Sequence, residues 1–368
     1  MTAPYAGLRV LEFGQGVAAP YCGMLLAQHG ADVLKIEPPH GDWSRGLGQR
    51  TESMSVLFAT FNRGKRDAVL DFSDPAGRAA AVALAARADV LTESFRPGVM
   101  ARHGLAWADL QPANPRLIYL SVSGFGQTGP NAGRPATDTV SQVFGGLAYE
   151  NRGADGVPHR VGALVSDVVT GLYALAAVQA ALASRDRDGG RHLDLDLAQG
   201  TAALLSFNVA DASWGAGSTP PRNVPSGMYR VADGWISISL VNEKHWLALA
   251  AALRRPDLLT DPRYADVPGR FAHEAILTAE LRASFAALPA AVWLPRLQAE
   301  GVMAERLNSP ADLLTDPHLL ARHGIVELDQ PGLGIMRLPG TPGFLDAAPA
   351  RPAPLLGEHT AALPHGWP

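Results

Sequence analysis

Two short apolar runs separated by one helix, close to the N-terminus, constrain the fold more than any other feature of this chain. Residues 8–13 (LRVLEF) have the pattern of a buried strand, residues 18–29 have helical spacing with Pro20 near the start and Gly30 after the end, and residues 32–37 (DVLKIE) have a strand pattern again. Strand, helix and strand in this order form a βαβ unit, in which the two strands lie parallel in one sheet.

The same alternation continues along the first half of the chain. Residues 67–71, 90–92, 117–121 and 192–197 have strand-like patterns, and Ser73-Asp74-Pro75 provides a cap and an N-terminal proline for a helix that ends at Arg87. Strands that alternate with helices predict an α/β fold with a parallel sheet covered on both faces.

Length and composition predict a second, smaller domain. A chain of 368 residues with 47% apolar residues is longer than one hydrophobic core normally supports. The tract WGAGSTPPRNVPSG predicts a linker at residues 214–227, between a large domain (1–213) and a small α/β domain (228–324). Residues 325–368 are rich in proline and glycine and predict an extended segment.

Charge and targeting signals exclude several classes of partner. The chain has 31 basic and 35 acidic residues, a net charge of -4 and no block of Lys or Arg, so we expect neither nucleic acid nor a membrane surface as a partner. The N-terminus lacks a secretory signal, which predicts a cytoplasmic protein. The single cysteine and the scattered histidines have no metal-ligand spacing, so no metal is expected.

A glycine motif after the first strand is compatible with nucleotide binding. Residues 14–19 (GQGVAA) match G-x-G-x-x-G/A, and Glu37 at the end of the second strand lies at the right distance to contact a ribose. This pattern is typical of an NAD-dependent dehydrogenase, but small residues at a helix start serve any ligand that passes there. Both interpretations stay open at this point.

A second glycine motif, residues 124–129 (GFGQTG), also follows a strand. Pro130 and Pro135 prevent a helix from opening there, so the motif predicts a turn at the carboxyl edge of the sheet. Such a turn has either a structural role or contacts a ligand.

Asp167 is the only charged residue in the apolar stretch 161–183. One interpretation is a helix N-cap, where the positive helix terminus would help to keep the carboxylate ionised. The other is a poorly solvated carboxylate that serves as a nucleophile or a base. Position alone does not decide between them.

Several ordered blocks of the chain resemble one family. RVLEFGQGVAAPYCGMLLAQHGADVLKIEPPHGDWSR, NRGKRDAVLDFSDPAGR, ADVLTESFRPGVMARHGL, NPRLIYLSVSGFGQTGP and PGLGIMRLPG are similar to the class III CoA-transferase family, which also contains the α-methylacyl-CoA racemases. The resemblance covers nearly the whole chain. It implies a Rossmann-like large domain, a smaller domain, a C-terminal segment that returns to the large domain, and an interlocked homodimer.

The resemblance also implies substrates and the residues that bind them. Acyl-CoA and a free carboxylic acid would be the substrates, without a tightly bound cofactor. The positions that match the CoA site of the family are Gly16, Val17, Ala18, Leu70, Phe95 and Arg102. Small residues suit the pantetheine arm, apolar side chains suit the adenine, and a guanidinium suits the phosphates.

Asp167, in the block VSDVVTGLYA, matches the catalytic aspartate of the family. As the nucleophile of a transferase it would form a mixed anhydride and then an aspartyl-CoA thioester. The Gly-rich turn with Gly124 and Gly126 would supply N–H donors to the oxyanions, and Thr137 and Asp138 would lie beside the substrate.

The racemase branch needs a second base, and the family places a histidine where this chain has Thr137. The sequence therefore favours a CoA-transferase over a racemase, with His159 as the one residue that could replace the missing base. A CoA-binding protein without activity is a further alternative. Arg134 has two interpretations, as an anchor for a substrate carboxylate or as a partner in a surface ion pair.

Overall fold

The chain folds into two compact units in a computed structural model that describes residues 3–153, 155–215, 223–343, 351–365 and 367. The first unit comprises Met1–Trp214 and Pro317–Pro368, and the second comprises Gly215–Asp316. Residues 216–222 of the predicted linker, and residues 344–350, 366 and 368 of the predicted C-terminal segment, lie outside the described residues.

The first unit is built on a parallel sheet, as the sequence predicts. Six strands form it in the described part of the chain, in the order β3-β2-β1-β4-β5-β6. They are β1 (Arg9–Glu12), β2 (Asp32–Glu37), β3 (Arg66–Val69), β4 (Val90–Glu93), β5 (Ile118–Ser123) and β6 (Arg191–Asp196). The chain runs outward in opposite directions from β1 and β4, so a crevice opens at the carboxyl ends of these two strands.

Helices cover both faces of this sheet. They are α1 (Ala18–Gln28), α2 (Val56–Asn62), α3 (Pro75–Ala85), α4 (Val99–Arg102), α5 (Trp107–Leu110), α6 (Asp138–Phe144), α7 (Leu147–Glu150), α8 (Val165–Asp188), α9 (Leu197–Leu204) and α10 (Ser206–Trp214). Successive side chains of a strand point to opposite faces. Accordingly, Val10 packs in the core that contains α1 and α8, whereas Leu11 packs in the core that contains α3.

Helix α8 is the long apolar helix in which Asp167 lies. Within the described residues it is the one single helix long and apolar enough to cross a bilayer, and one further candidate is a pair of helices bent by 117°. A core helix passes the same test. Ala174, Val178 and Ala181 of α8 are buried in the core that also contains Ala18 and Leu26 of α1, so the small side chains of α8 serve close packing against α1.

The second unit has its own core. The second unit contains the antiparallel strands β7 (Gly227–Val231), β8 (Gly234–Ser239) and β9 (Met303–Arg306). Its helices are α11 (Glu243–Leu253), α12 (Asp257–Thr260), α13 (Val267–Ala272), α14 (Glu274–Phe285), α15 (Ala290–Ala299) and α16 (Pro310–Leu313). Tyr229, Ile236, Trp246 and Phe285 are buried in this core. The predicted strand 235–240 and the predicted helices 244–253 and 274–287 all occur here within a few residues.

The chain then returns to the first unit earlier than expected. Helix α17 (Pro317–Ala321) contacts the hairpin of β10 (Ile325–Gln330) and β11 (Gly334–Pro339), so residues 317–324 group with the first unit and not with the second. The hairpin also replaces part of the predicted extended segment, because its proline and glycine residues form a tight turn at residues 331–334.

Residues 357–360 lie along the exposed edge of β3. The Gly357 N–H donates to the Asp67 carboxylate (2.5 Å), the His359 N–H donates to the Asp67 carbonyl (2.8 Å), and the Thr360 hydroxyl oxygen accepts the Val69 N–H (2.9 Å). These bonds satisfy backbone groups that an edge strand otherwise leaves open.

Candidate active site

A cavity of about 460 Å³ opens at the carboxyl ends of β1, β4 and β5, where the strand order places a ligand site. Four chain segments contribute most of its wall. They are the turn after β1 with the start of α1 (Gln15, Val17, Ala18, Ala19), residues 94–97 after β4, residues 122–124 at the end of β5, and most of the loop 132–139. Trp43, Leu47, Leu57, Leu164, Asp167 and Leu197 complete the wall.

Asp167 lies in the first turn of α8, but it is not the cap of this helix. The N-cap residue is Leu164, and its side chain makes no capping bond. Instead, the carboxylate of Asp138 accepts the N–H groups of Ser166 (2.8 Å) and Asp167 (3.2 Å). The capping interpretation of Asp167 is therefore wrong, because a carboxylate from α6 satisfies these donors.

This arrangement leaves the Asp167 carboxylate without a donor. Among the described residues, no hydrogen-bond donor or cation contacts it, and the side chain is half-buried in the cavity wall. Burial, and then the nearby charge of Asp138, raise the pKa of Asp167 to about 7. The expectation that the helix terminus keeps this group ionised is thus wrong in direction. A carboxylate with such a pKa is suited to nucleophilic or base chemistry near neutral pH.

Gln142, which the sequence analysis missed, holds Asp138 in place. Its amide N–H donates to the Asp138 carboxylate (2.6 Å) and to the Ala163 carbonyl (3.1 Å), while its carbonyl oxygen accepts the Val161 N–H (2.8 Å). Gln142 is fully buried. One side chain therefore ties α6 to the segment that leads into α8, and so fixes the start of the helix that carries Asp167.

Side chains on the protein side of the cavity wall fix the conformation of the glycine turn after β1. Gly16 has a φ of +80°, and a Cβ there would lie 2.3 Å from the indole of Trp43. Its N–H donates to the carboxylate of Asp42 (3.1 Å), which also forms a buried ion pair with Lys35 (2.9 Å). Burial alone would lower the pKa of Lys35, but nearby carboxylates, Asp42 foremost, raise it above its usual value, so the lysine stays charged.

These contacts argue against the dinucleotide interpretation. A pyrophosphate needs the free N–H groups of this turn, but that of Gly16 is bonded to a carboxylate. Glu37 is fully buried and accepts the Asp42 N–H (2.6 Å) and the Arg45 guanidinium (2.7 Å). It is therefore not available to bind a ribose, and this part of the sequence interpretation is wrong.

The remaining predicted residues divide into three groups. Val17, Ala18, Phe95, Gly124, Thr137 and Asp138 line the cavity together with Asp167. Gly16 supports the wall from behind. Leu70, Gly126 and Arg102 do not line it: Leu70 packs with the core under α3, Gly126 lies in a turn beside the carboxylates of Asp194 and Asp196, and Arg102 is exposed at the end of α4.

Some functional candidates escaped the sequence analysis although a signal existed. Lys35 is a charged residue inside the apolar strand DVLKIE, and Glu12 has the same position in RVLEF. Both are fully buried, and Lys35 Nζ lies 3.3 Å from Glu12 Oε1. A charge in the interior of a buried strand requires a partner, so these residues could have predicted an ion-pair network below the turn. No comparable signal marks Gln142.

Comparisons with known proteins identify the family of this chain. Residues 5–360 match the sequence profile of CoA-transferase family III. The chain is 36% identical to acetyl-CoA:oxalate CoA-transferase of Acetobacter aceti, over 98% of this chain and 95% of that protein. It is 34% identical to succinyl-CoA--D-citramalate CoA-transferase of Chloroflexus aurantiacus, over 98% and 93%.

A solved structure extends the similarity to the fold. The CAIB/BAIF family protein from Brucella suis superposes on the whole of this chain, over its own whole length, with a TM-score of 0.89 and 32% sequence identity. Sequence and fold agree across nearly all of the chain, including the segments that form the cavity. The chain therefore belongs to CoA-transferase family III and is an enzyme of CoA transfer between carboxylic acids.

Proposed function

We propose that the protein moves CoA from an acyl-CoA to a free carboxylic acid, with Asp167 as the covalent nucleophile. The observation that carries this proposal is the position of the Asp167 carboxylate, which is half-buried in the cavity wall and has no donor among the described residues. Hydrogen bonds would stabilise the anion and reduce its reactivity, and their absence favours attack on a carbonyl.

The proposed reaction has four balanced steps. The Asp167 carboxylate attacks the thioester carbonyl of the donor, which gives a mixed anhydride and the CoA thiolate. The thiolate attacks the aspartyl carbonyl, which forms an aspartyl-CoA thioester and releases the donor acid. The acceptor carboxylate then attacks this thioester and expels the thiolate, which finally takes the new acyl group and restores Asp167. The energy of the thioester is retained throughout, so no ATP is needed.

The other predicted residues receive supporting roles in this proposal. Val17 and Ala18 are small residues in the cavity wall and suit the pantetheine arm, and the Phe95 ring suits the adenine. Leu70 and Arg102 remain proposals for the adenine and the phosphates, outside the cavity wall. Of the oxyanion candidates, Gly124 and Thr137 line the cavity and are retained, whereas Gly126 does not line it. Asp138 orients the start of α8 through the N–H of Asp167.

The racemase alternative lacks a second base in this cavity. No histidine occurs among the described residues of the cavity wall. His159 is outside this wall, directly after the bridge between Arg152 and Pro158, and its N–H donates to the Asn151 carbonyl (3.0 Å). These observations favour transfer over racemisation, which needs a base on each face of the substrate carbon.

We further propose that the protein acts as a homodimer in the cytoplasm. Exposed large apolar side chains occur on α8, α9 and α10: Leu172, Tyr173, Leu204, Phe207 and Val209. Clusters of this kind on a folded chain are typical of an interface with a partner. The interlocked form of the dimer rests on the family resemblance. Light scattering of the purified protein tests for the dimer, and a monomer at micromolar concentration would contradict it.

A CoA-exchange assay with isotope-labelled acid tests the reaction and the nucleophile. We expect exchange between an acyl-CoA and a free acid in the wild-type protein, and a loss of about a thousandfold or more in Asp167→Ala. Asp186→Ala is the matched control, because Asp186 lies on the same helix but is exposed in an ion pair with Arg116 (2.6 Å). Hydroxylamine added during turnover should convert Asp167 to a hydroxamate, detected by mass spectrometry. Undiminished exchange in Asp167→Ala would disprove the assignment.

A further inference from the structure

The turn of α8 that follows Asp167 contains a glycine at a close helix contact. Gly171 lies four positions after Asp167, so the two residues are on the same face of the helix, one turn apart. Gly171 is buried in the interior of this helix, although glycine is a poor helix former. A neighbouring element that leaves no room for a side chain accounts for a glycine at such a position.

That neighbour is the backbone of α1. A Cβ at Gly171 would lie 2.8 Å from the carbonyl oxygen of Ala18 and 2.9 Å from the ring of Tyr21. Contacts this short do not occur in a packed interior, and a backbone carbonyl cannot move aside as the end of a flexible side chain can. The missing Cβ therefore lets α8 lie closer to α1 than any other residue would allow.

This contact places Asp167 beside the start of α1. Helix α1 connects the parallel strands β1 and β2, and α8 connects the parallel strands β5 and β6 of the same sheet, so both helices run in the same direction. Ala18 is the first residue of α1, so Asp167, one turn before Gly171, lies at the level of the glycine turn. Accordingly, Asp167, Val17 and Ala18 line the same cavity, whereas Tyr21 is outside its wall.

A second glycine packs against another side of the same turn of α8. A Cβ at Gly200 in α9 would overlap the hydroxyl of Thr170, the residue before Gly171. Gly200 is also buried, and the hydroxyl of Thr201 next to it donates to the Ser166 hydroxyl (2.7 Å). Helices α1 and α9 thus both contact the first turns of α8 through glycines, and any added side chain would displace this part of the helix.

We propose that Gly171 and Gly200 are positioning residues of the reaction, which fix the reach of the Asp167 carboxylate toward the thioester. This inference rests on the proposed function, in which Asp167 is the nucleophile. No donor among the described residues holds the carboxylate itself, so the position of α8 determines where it lies. A displacement of about 1 Å in a reacting group can lower a rate by about a hundredfold.

Gly171→Ala tests the contact with α1. The added methyl group forces α8 away from the Ala18 carbonyl, so we expect kcat for CoA exchange to fall by about tenfold or more, with a change of less than about threefold in KM for the acyl-CoA. Asp167→Glu reports the direction of the shift, because its longer side chain reaches too far in the wild type but restores part of the reach in Gly171→Ala. The loss of kcat in the double variant should be at least about threefold smaller than the product of the two single losses, whereas unrelated losses multiply.

Gly200→Ala tests the contact with α9 and can be reversed. We expect it to lower kcat by about tenfold, again with little change in KM. Its methyl group meets a side chain, so Thr170→Ala, which removes that hydroxyl, should bring kcat of the double variant to within about threefold of Thr170→Ala alone. This pair tests the inference even where Gly171→Ala does not fold, and a double variant as slow as Gly200→Ala would contradict it.

Gly190→Ala is the matched control. A Cβ at Gly190 would overlap the backbone of Leu117, but Gly190 lies between the end of α8 and the start of β6, at the opposite edge of the sheet from the cavity. It should lower the urea midpoint and leave kcat unchanged. Wild-type kcat in folded Gly171→Ala, or a loss that multiplies fully with that of Asp167→Glu, would overturn the inference while leaving CoA transfer intact. Absence of exchange in the wild type, or undiminished exchange in Asp167→Ala, would instead overturn the proposed function.

Discussion

Replacing Asp138 by Asn separates the electrostatic role of this carboxylate from its shape. Burial and the Asp138 charge together raise the pKa of Asp167 from 3.8 to about 7, and burial is the larger of the two causes. Asp138 therefore accounts for less than half of the rise, and neutralising it should lower the pKa of Asp167 by about one pH unit. The nucleophile is the ionised form, so activity rises as pH increases through this pKa. In Asp138→Asn the acidic limb of the kcat/KM profile should move to lower pH by about one unit.

Asp138→Asn should also lower stability, because the Asp138 carboxylate accepts several buried hydrogen bonds. The Asp138 carboxylate accepts the backbone N–H groups of Ser166 and Asp167 at the start of α8 and the side-chain N–H of Gln142. An asparagine offers one acceptor and one donor, so one of these donors loses its partner. A buried unpaired donor costs about 1–3 kcal/mol, which we expect as a decrease in the free energy of unfolding.

The assay is CoA exchange at fixed subsaturating substrate from pH 5 to pH 9, together with urea unfolding at each end of this range. Asp329→Asn in β10 is a suitable control, because Asp329 is exposed and lies far along the chain from Asp167. An acidic limb that stays in place or moves to higher pH in Asp138→Asn would refute the reasoning, since removing a negative neighbour can only ease the ionisation of Asp167.

Two further predictions concern stability and the glycine turn. The raised pKa of Asp167 means that the folded state holds a proton that the unfolded state releases above pH 3.8, so this group lowers stability as pH rises toward about 7. Asp167→Asn should therefore be more stable than the wild type at pH 8 by about 1–3 kcal/mol, with a smaller difference at pH 5; urea midpoints that differ equally at both pH values would contradict this. Gly16→Ala should lose at least about 1–2 kcal/mol of stability and raise KM for acyl-CoA, because φ is +80° and the new Cβ meets Trp43 at 2.3 Å. Gly162→Ala, where a Cβ meets open space, is its control, and an unchanged KM in Gly16→Ala would refute the role of this turn.

The sheet of the first unit was largely predictable because β1, β2, β4 and β5 are buried on both faces. The strand patterns of β1 and β2 differ from the helical spacing of the residues between them. Asp32–Glu37 is therefore predicted without error. The hairpin of β10 and β11 was missed because its strands pair only with each other and are mostly not buried. Glu327 is exposed in β10, so the run Ile325–Gln330 lacks a continuous apolar signal.

The candidate site was predictable as a set of residues but not as a network. The family pattern identified Asp167 and Asp138, and both line one cavity. The sequence could not show that Asp138 caps a helix that begins 27 positions later. Nor could it show that Gln142 connects α6 to the segment that leads into α8. Such bonds depend on the path of the loop between α6 and α8, which no local pattern encodes.

The contact of residues 357–360 with β3 has a consequence for the order in which the chain folds. The Asp67 carboxylate binds the backbone N–H of Gly357, which lies 290 positions further along the chain. The carboxylate and the edge of β3 are therefore covered only after that segment has been synthesised. During synthesis the whole of the second unit leaves the ribosome in between, and its core contains only residues of that unit. The second unit is thus free to fold while the earlier-made sheet still presents an open edge. During this interval the open edge of β3 in the nascent chain is most accessible for pairing with another copy of the chain.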